Sequence, residues 1–403
     1  MIFHTSSHIY AHIDCNSFYA SCETLRDPSL KGKCILVGDQ ITIAASYEAK
    51  RLGIRMGTPF WEAERIVWKN RLIKKLPDHA YYRSISDRLM SYLSARLGKL
   101  EIFSIDETFA EVTGMASEYE AFAESLKTDI YRDIGIPVSI GISTTRIRAK
   151  MLGDLHKPYG TTVEFDREDI ETIWKNLPVR EIPFIGRGSA ERLGASVRTV
   201  YDYYSLDPRY ISKLLGRNGV VLWLELHGVD SWTPHDTSKK RQSIVVSRSF
   251  NDRITNNPDF LWRQALMHFE RAYETLLSEK QWASLVGIYL RLRDHSYASK
   301  YADLGPPTID RSRMIAILRT LFDAVHERGI DYRTVGITFG RLSSFTPRQL
   351  SVFDVEGREH ETDARLSDTL SRLRARYGES IVHQGYIDSR RKKQDIGVLF
   401  EVG

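Results

Sequence analysis

Cysteine is scarce in this sequence: there are three in 403 residues, Cys15, Cys22 and Cys34. An odd number without a CxxC pair argues against a disulfide framework and a structural zinc site, and fits a reducing cytosol. No apolar run approaches the roughly 18 residues that a bilayer span needs, and the N-terminus lacks a charged segment followed by an apolar stretch and cleavage site. Neither secretion nor membrane insertion is expected. Internal repeats and low-complexity tracts are absent as well. A strong excess of one charge is also missing, because 57 Lys and Arg face 52 Asp and Glu, for a net of +5.

That small excess is unevenly placed. Between Ser231 and Leu350 stand 18 Lys and Arg against 12 Asp and Glu, so this stretch carries more than the whole surplus and the remainder is slightly acidic. A basic C-terminal half points weakly to a polyanionic partner. With 42% hydrophobic residues over this length, two to four modest cores are expected rather than disorder.

The pattern begins with an apolar strand, Ile9 to Ile13, that ends in Asp14, followed by a helix from Asn16 to Leu25. A second short strand, Cys34 to Val37, precedes a helix-like stretch from Ile43 to Leu52, closed by Gly53. Ala80 to Leu97 has helical periodicity. Leu100 to Ile105 and Thr108 to Val112 alternate as a β-hairpin with Asp106 and Glu107 at its turn, and Val138 to Ile142 adds another strand. The result is a mixed sheet backed by helices, with an insertion near residues 32 to 75. Residues 168 to 231 are helical and punctuated by Pro183, Gly186 and Gly188, a helix-hairpin-helix candidate. After a polar linker, Ile244 to Phe250, Leu285 to Arg293 and Val335 to Leu342 alternate as strands of a small α+β domain. Beyond Phe345 only Asp363 to Tyr377 is helix-like, and with the charge run at Arg390 to Lys393 a weakly ordered tail is expected.

Three carboxylates, Asp14, Asp106 and Glu107, lie at strand ends, where sites are commonly built. Two divalent cations ~3.5 to 4 Å apart need bridging carboxylates, and Mg²⁺ favours hard oxygen ligands. Neighbours on a strand point to opposite faces, so Asp106 and Glu107 can share a site only where the backbone turns. Strand-end acids alone are more often solvated turn residues. Tyr47 and Lys50 share a helix face, and with Lys157 they could clamp a triphosphate. Ser17, Phe18 and Tyr19 follow Asp14 closely, although core packing would explain the two rings equally well. Gly186 and Gly188 could offer backbone N–H groups to phosphate. Arg291 and Arg293 should share one sheet face, with Arg248 placed similarly on its own strand.

These segments together resemble the Y-family translesion DNA polymerases over about residues 8 to 345. "HIDCNSFYASCE" is similar to the first metal motif, "SIDETFAEVTG" to the catalytic hairpin and "GISTTRIRAKMLGDLHKPYG" to the third palm motif. "ASYEAKRLGIRMGTPFWEA" resembles the fingers motif, "IPFIGRGSAERL" the thumb hairpin and "SRSF" the opening of the little-finger domain. The variants "CNSFYASCE", "YEAK" and "SRSF" lean toward the UmuC-type branch.

The resemblance implies an α+β multidomain, right-hand polymerase: ferredoxin-like palm (1–31 and 76–167), small fingers (32–75), helix-hairpin-helix thumb (168–231), linker (232–242), α+β little finger (243–345) and a tail (346–403). Asp14, Asp106 and Glu107 match the metal-binding acids, with the Cys15 carbonyl as a further ligand to two Mg²⁺, for which Mn²⁺ can substitute. Ser17, Phe18, Tyr47, Lys50 and Lys157 match nucleotide contacts, and Tyr19 matches the steric gate under the sugar. The implied partners are template-primer DNA, dNTP, SOS regulatory subunits and the bacterial sliding clamp, with no membrane. Gln349, Leu350, Val352 and Phe353 resemble the clamp-binding peptide. A cytoplasmic, nucleoid-associated enzyme is expected.

The chain departs from the family pattern at Ala44, where a hydroxyl residue is common, at Lys50, which replaces an arginine, and at Phe184, which replaces a glycine of the thumb hairpin. Two other readings use some of the same features: a nucleotidyl cyclase on a related palm, and a clamp-bound DNA-binding scaffold without catalysis. A cyclase has no use for a DNA-gripping hairpin, and a scaffold has none for the three acids.

Overall fold

The computed structural model describes residues 8–67, 71–231, 241–250 and 254–344. The chain divides into two units, Met1–Asp236 and Thr237–Gly403. The expected tail and the peptide Gln349 to Phe353 lie outside the described residues.

In the first unit, strand β1 (Tyr10–Cys15) leads into helix α1 (Phe18–Arg26). Strands β2 (Cys34–Gly38) and β3 (Thr42–Ala45), helices α2 (Tyr47–Arg51) and α3 (Phe60–Ile66), and strand β4 (Leu72–Lys75) make a three-stranded sheet, β3-β2-β4, with a core of its own around Leu36, Ile54 and Phe60. Here the expected helix from Ile43 to Leu52 is corrected. Thr42 to Ala45 pairs with β2, and the helix starts only after Ser46, whose hydroxyl accepts from the Ala49 N–H as an N-cap.

Helix α4 (His79–Leu97) and strands β5 (Leu100–Ile102) and β6 (Glu107–Glu111) follow, then α5 (Tyr119–Ile134), β7 (Val138–Ser143), α6 (Arg146–Leu155) and β8 (Thr161–Val163). The large sheet has the order β5-β6-β1-β7-β8, with β1 antiparallel to both neighbours. Ala11, Ile13 and Cys15 of β1 pack with Val138, Ile140 and Ile142 against α4 and α5. The alternate residues His12 and Asp14 fall on the opposite face, the one covered by α6. That helix lies very close to the sheet because Gly141 has no side chain: a Cβ there would sit 2.0 Å from the Ala149 carbonyl oxygen and 2.3 Å from the Gly153 nitrogen.

The outer side of α6 joins a helical layer, α7 (Arg167–Asn176), α8 (Arg187–Leu193), α9 (Val200–Tyr204) and α10 (Pro208–Leu226), in which Ile147 and Met151 pack with Trp174, Tyr203 and Leu222. Buried Arg148 fixes the joint by donating to the Leu226 carbonyl at 2.8 and 3.1 Å. Helix α6 therefore belongs to two cores at once.

In the second unit, β9 (Ser243–Ser249), α11 (Pro258–Ser278), β10 (Gln281–Leu292), β11 (Tyr297–Thr308), α12 (Arg311–Val325) and β12 (Tyr332–Gly340) form a sheet of order β11-β10-β12-β9 with both helices on one face. The strand β11 was not expected from its polar sequence and its Gly305-Pro306-Pro307. As an edge strand it tolerates prolines that a central strand would not.

Candidate active site

The end of β1 sets the site. Asp14 pairs in register with Glu107, the first residue of β6, so the two carboxylates are cross-strand neighbours on the α6 face. His12, two residues earlier on that face, completes a group of three whose ligand atoms lie within 4.8 Å of one another. Asp106 sits in the turn before β6. Its carbonyl accepts the Cys15 N–H at 2.9 Å, and its carboxylate takes a short hydrogen bond from the Ser104 hydroxyl. The bend lies at Ser104 to Asp106, ahead of Glu107 in the strand, and from that bend the Asp106 charge still acts on Asp14.

Burial raises Asp14 to about 6 even though the Lys157 ammonium, 3.0 Å from Oδ1, pulls it back, and the Asp106 charge adds to the rise. Burial also raises Asp106, with a further push from Glu107. Crowded carboxylates in a poorly solvated place favour either protons or cations. For Lys157, burial works against the charge, but Asp14 and Asp154 outweigh it and raise the pKa.

Two residues at the site were missed from sequence. The Lys150 ammonium bonds to Glu107 Oε2, and His12 Nε2 lies 3.2 Å from the same oxygen. Burial, then the Lys150 charge, lowers His12 to about 3, so its ring is neutral, with Nε2 3.2 Å from Glu107 Oε2 and 3.5 Å from Lys150 Nζ, while the buried Nδ1 has no hydrogen-bond partner. The signals were available: His12 has the same strand parity as Asp14, and Lys150 lies seven residues before Lys157.

Tyr47 and Lys50 share a face of α2, the ammonium 4.4 Å from the ring centroid. Partial desolvation and the Lys157 charge lower Lys50, and Tyr47 is raised by burial while feeling Lys157 and Asp14, so both belong to this electrostatic neighbourhood. Ser17 has φ 48° and its buried hydroxyl has no hydrogen-bond partner. Phe18 is buried. Half-buried Tyr19 stacks on Tyr82 with centroids 4.5 Å apart and meets His79 edge-on. The Cys15 thiol is buried, and burial followed by the Asp106 charge raises its pKa.

Gly186 is the N-cap of α8 and Gly188 its second residue, with open space around both. The expected row of arginines is corrected. Arg291 lies on β10, but Arg293 falls past the strand's end at Leu292. Arg291 aligns with Thr334 and Ser249, whereas Arg248 aligns with Val335 and buried Leu290, which places it on the helix-covered face. The Arg248 charge accordingly reaches His268 on α11.

Residues 13–154 match the impB/mucB/samB family, and residues 241–352 match the impB/mucB/samB family C-terminal domain. Among curated proteins, the chain is 30% identical to DNA polymerase IV 1 of Halalkalibacterium halodurans over 93% of its own length and 92% of that protein's. It is 28% identical to DNA polymerase IV of Bacillus velezensis, covering 97% and 96%, and 28% identical to protein UmuC of Salmonella typhimurium, covering 93% and 92%. Among solved structures, a Y-family DNA polymerase chimera of Dbh superposes with a TM-score of 0.69 at 22% identity, over 84% of this chain and all of that one. An insertion ternary complex of Dbh polymerase gives 0.52 at 22% identity with the same coverage.

Proposed function

Because this chain belongs to the impB/mucB/samB family of Y-family translesion DNA polymerases, we propose that Asp14, Asp106 and Glu107 form its nucleotidyl-transfer centre and that the surrounding cations hold the incoming dNTP. The observation that carries this is the meeting of Asp14, Glu107 and Lys157 at the end of β1 on the face that α6 closes, with Asp106 in the adjoining turn near enough for its charge to raise Asp14. Their all-oxygen, acidic donor set fits Mg²⁺, or Mn²⁺ in its place, better than a soft metal. Asp14 and Asp106 would bridge two such ions, Glu107 would hold one and the Cys15 carbonyl would add a ligand. Bound there, the metal supplies charge neutralisation at the pyrophosphate and a lower pKa for the primer 3′ oxygen.

The chain's own residues do the rest by position. Lys157 and Lys50 face the triphosphate, Tyr47 lies beside them, and the backbone at Ser17 and Phe18 lines the phosphate path. The partnerless Ser17 hydroxyl supports this, since a buried polar group needs a hydrogen-bond partner. Lys150 and His12 hold Glu107 by one oxygen, leaving the other for the reaction. Tyr19 stands under the sugar as the steric gate.

The domain assignment follows the same reading: palm at 1–31 and 76–167, fingers at 32–75, thumb at 168–231 and little finger at 243–345. Gly186 and Gly188 contact primer-template phosphates, together with Arg291 and Arg293 of the second unit. Arg248, exposed near the end of β9 in a different register, is a further phosphate contact of that unit. Gln349, Leu350, Val352 and Phe353 bind the sliding clamp, regulatory subunits of the SOS response act on the enzyme, and translesion synthesis takes place at the nucleoid. Among the described residues, no helix is long and apolar enough to cross a membrane.

Primer extension with Mg²⁺ on an undamaged and an abasic template tests this reading. Templated addition on both is expected. Cyclisation of a nucleoside triphosphate without a template, or DNA binding without any addition, would replace it with a cyclase or a scaffold.

A further inference from the structure

Phe184 and Phe103 stand out as exposed rings close to the carboxylate centre, Phe103 also meeting buried Phe109 edge-on with centroids 5.9 Å apart. Phe184 lies between Ile182 and Ile185, which are 1% and 3% exposed and anchor the segment in the helical layer. Phe184 itself is turned outward, 55% exposed, at φ 68°, a backbone region that favours glycine. Its ring meets Phe103 edge-on with centroids 5.9 Å apart. Phe103, 38% exposed, stands three residues before Asp106 and donates its N–H to the Glu107 carbonyl at 3.1 Å. Lys150, which bonds to the Glu107 carboxylate, lies 5.6 Å from the Phe103 ring centroid. A continuous line of contacts therefore runs from Phe184 through Phe103 and Lys150 to Glu107.

We propose that Phe103 and Phe184 form an aromatic seat for the last nucleotides of the primer strand. The inference rests on the reading of Asp14, Asp106 and Glu107 as the transfer centre, because the primer 3′ oxygen must then arrive beside Glu107. With a rise of about 3.4 Å per nucleotide, two rings 5.9 Å apart span about two residues of a strand ending there. Rings beside a paired strand can pack on the apolar faces of its sugars whatever the bases, which suits an enzyme that must hold any primer end. The seat is a feature of this chain, since the thumb hairpin carries Phe184 where a glycine would satisfy the backbone.

The strained φ provides a clean variant: Phe184→Gly removes the ring and suits the backbone, so the fold should be kept. Full-length parent, Phe184→Gly, Phe103→Ala and Phe184→Tyr are compared for affinity to a recessed primer end and to an uninterrupted duplex of equal length, with 2-aminopurine at the primer terminus as a second readout. We expect both ring-removing variants to weaken binding to the recessed end about 5- to 50-fold, to change the uninterrupted duplex less than about 2-fold, and to alter the terminal fluorescence, with Phe184→Tyr near the parent. Equal loss on both DNAs, no loss, or tighter binding, as from releasing a latch between the two loops, would overturn the seat. Asp106→Ala, run in parallel, separates the premises: normal incorporation by it would remove the transfer centre, whereas an unchanged terminus preference in Phe184→Gly would remove only the seat.

Discussion

The Lys157 ammonium lies 3.0 Å from Asp14 Oδ1 and also pairs with Asp154 at 2.5 Å, so one cation just past α6 is shared between a residue of the carboxylate centre and the end of that helix. Its position ties the charge of the acids to the residue expected to grip the triphosphate.

Lys157→Met should raise the KM for dNTP about 10- to 100-fold, the range for losing a charge-assisted hydrogen bond, while DNA affinity stays within about 2-fold. Steady-state kinetics with a parallel binding titration checks this. An unchanged KM would mean that Lys157 serves only to balance Asp14.

Gly141→Ala should disable the enzyme from beneath. The added Cβ would meet backbone atoms of α6 at 2.0 and 2.3 Å, so the helix that carries Lys150 must move off the sheet. We expect a loss of stability of about 1 to 3 kcal/mol and a fall in kcat larger than that loss explains at a temperature where the variant is folded. Full kcat in a folded Gly141→Ala protein would show that the close approach of α6 is not required.

Acid should weaken the second unit through His268. This side chain is 2% exposed on α11, neither ring nitrogen has a hydrogen-bond partner, and burial, with Arg271 and Arg248 adding to it, lowers its pKa from 6.5 to about 4. The folded protein keeps it neutral, so the unfolded chain takes up the proton first as the pH falls. Stability is complete above about pH 6.5 and declines toward pH 4, by on the order of 3 kcal/mol from this group. His268→Leu should flatten that part of the stability-versus-pH curve in thermal unfolding. A curve of unchanged steepness between pH 6.5 and 4 would contradict the assignment.

Tyr19 is stacked on Tyr82 and edge-on to His79, which fixes its ring beside the site. As a steric gate it would exclude a 2′-hydroxyl by overlap. Tyr19→Ala should raise the ratio of ribo- to deoxyribonucleotide incorporation efficiency at least about tenfold. Loss of core packing alone would lower both together, and an unchanged ratio in a folded variant would remove Tyr19 from the sugar site.

Much of the candidate site's geometry could be read from the sequence because its parts are local. Asp14 at a strand end, the bend at Asp106 just before β6, and Tyr47 with Lys50 on one helix face all depend on neighbours within a few residues. What escaped depended on pairing between distant segments. Ile43 to Ala45 is apolar enough for helix or strand, and only its ladder with Leu36 and Val37 decides for strand. Arg291 stands between Leu290 and Leu292 and Arg248 between Ser247 and Ser249, so nothing local relates the two, and only the register through β12 sends them to opposite faces. The link between Lys150 and Glu107 spans two elements and depends on a glycine, Gly141, that has no visible role until helix and sheet are brought together.

The most direct test of the central claim is single-turnover nucleotide incorporation by Asp106→Ala, with primer-template binding measured on the same preparation. The carboxylate is held by Ser104 in the turn before β6 and belongs to none of the proposed DNA-gripping surfaces. Incorporation should fall by at least about a thousandfold, as expected when charge stabilisation at a transferring phosphoryl group is removed, with DNA affinity near the parent's. Incorporation within a few-fold of the parent would contradict the assignment of Asp14, Asp106 and Glu107 as the transfer centre.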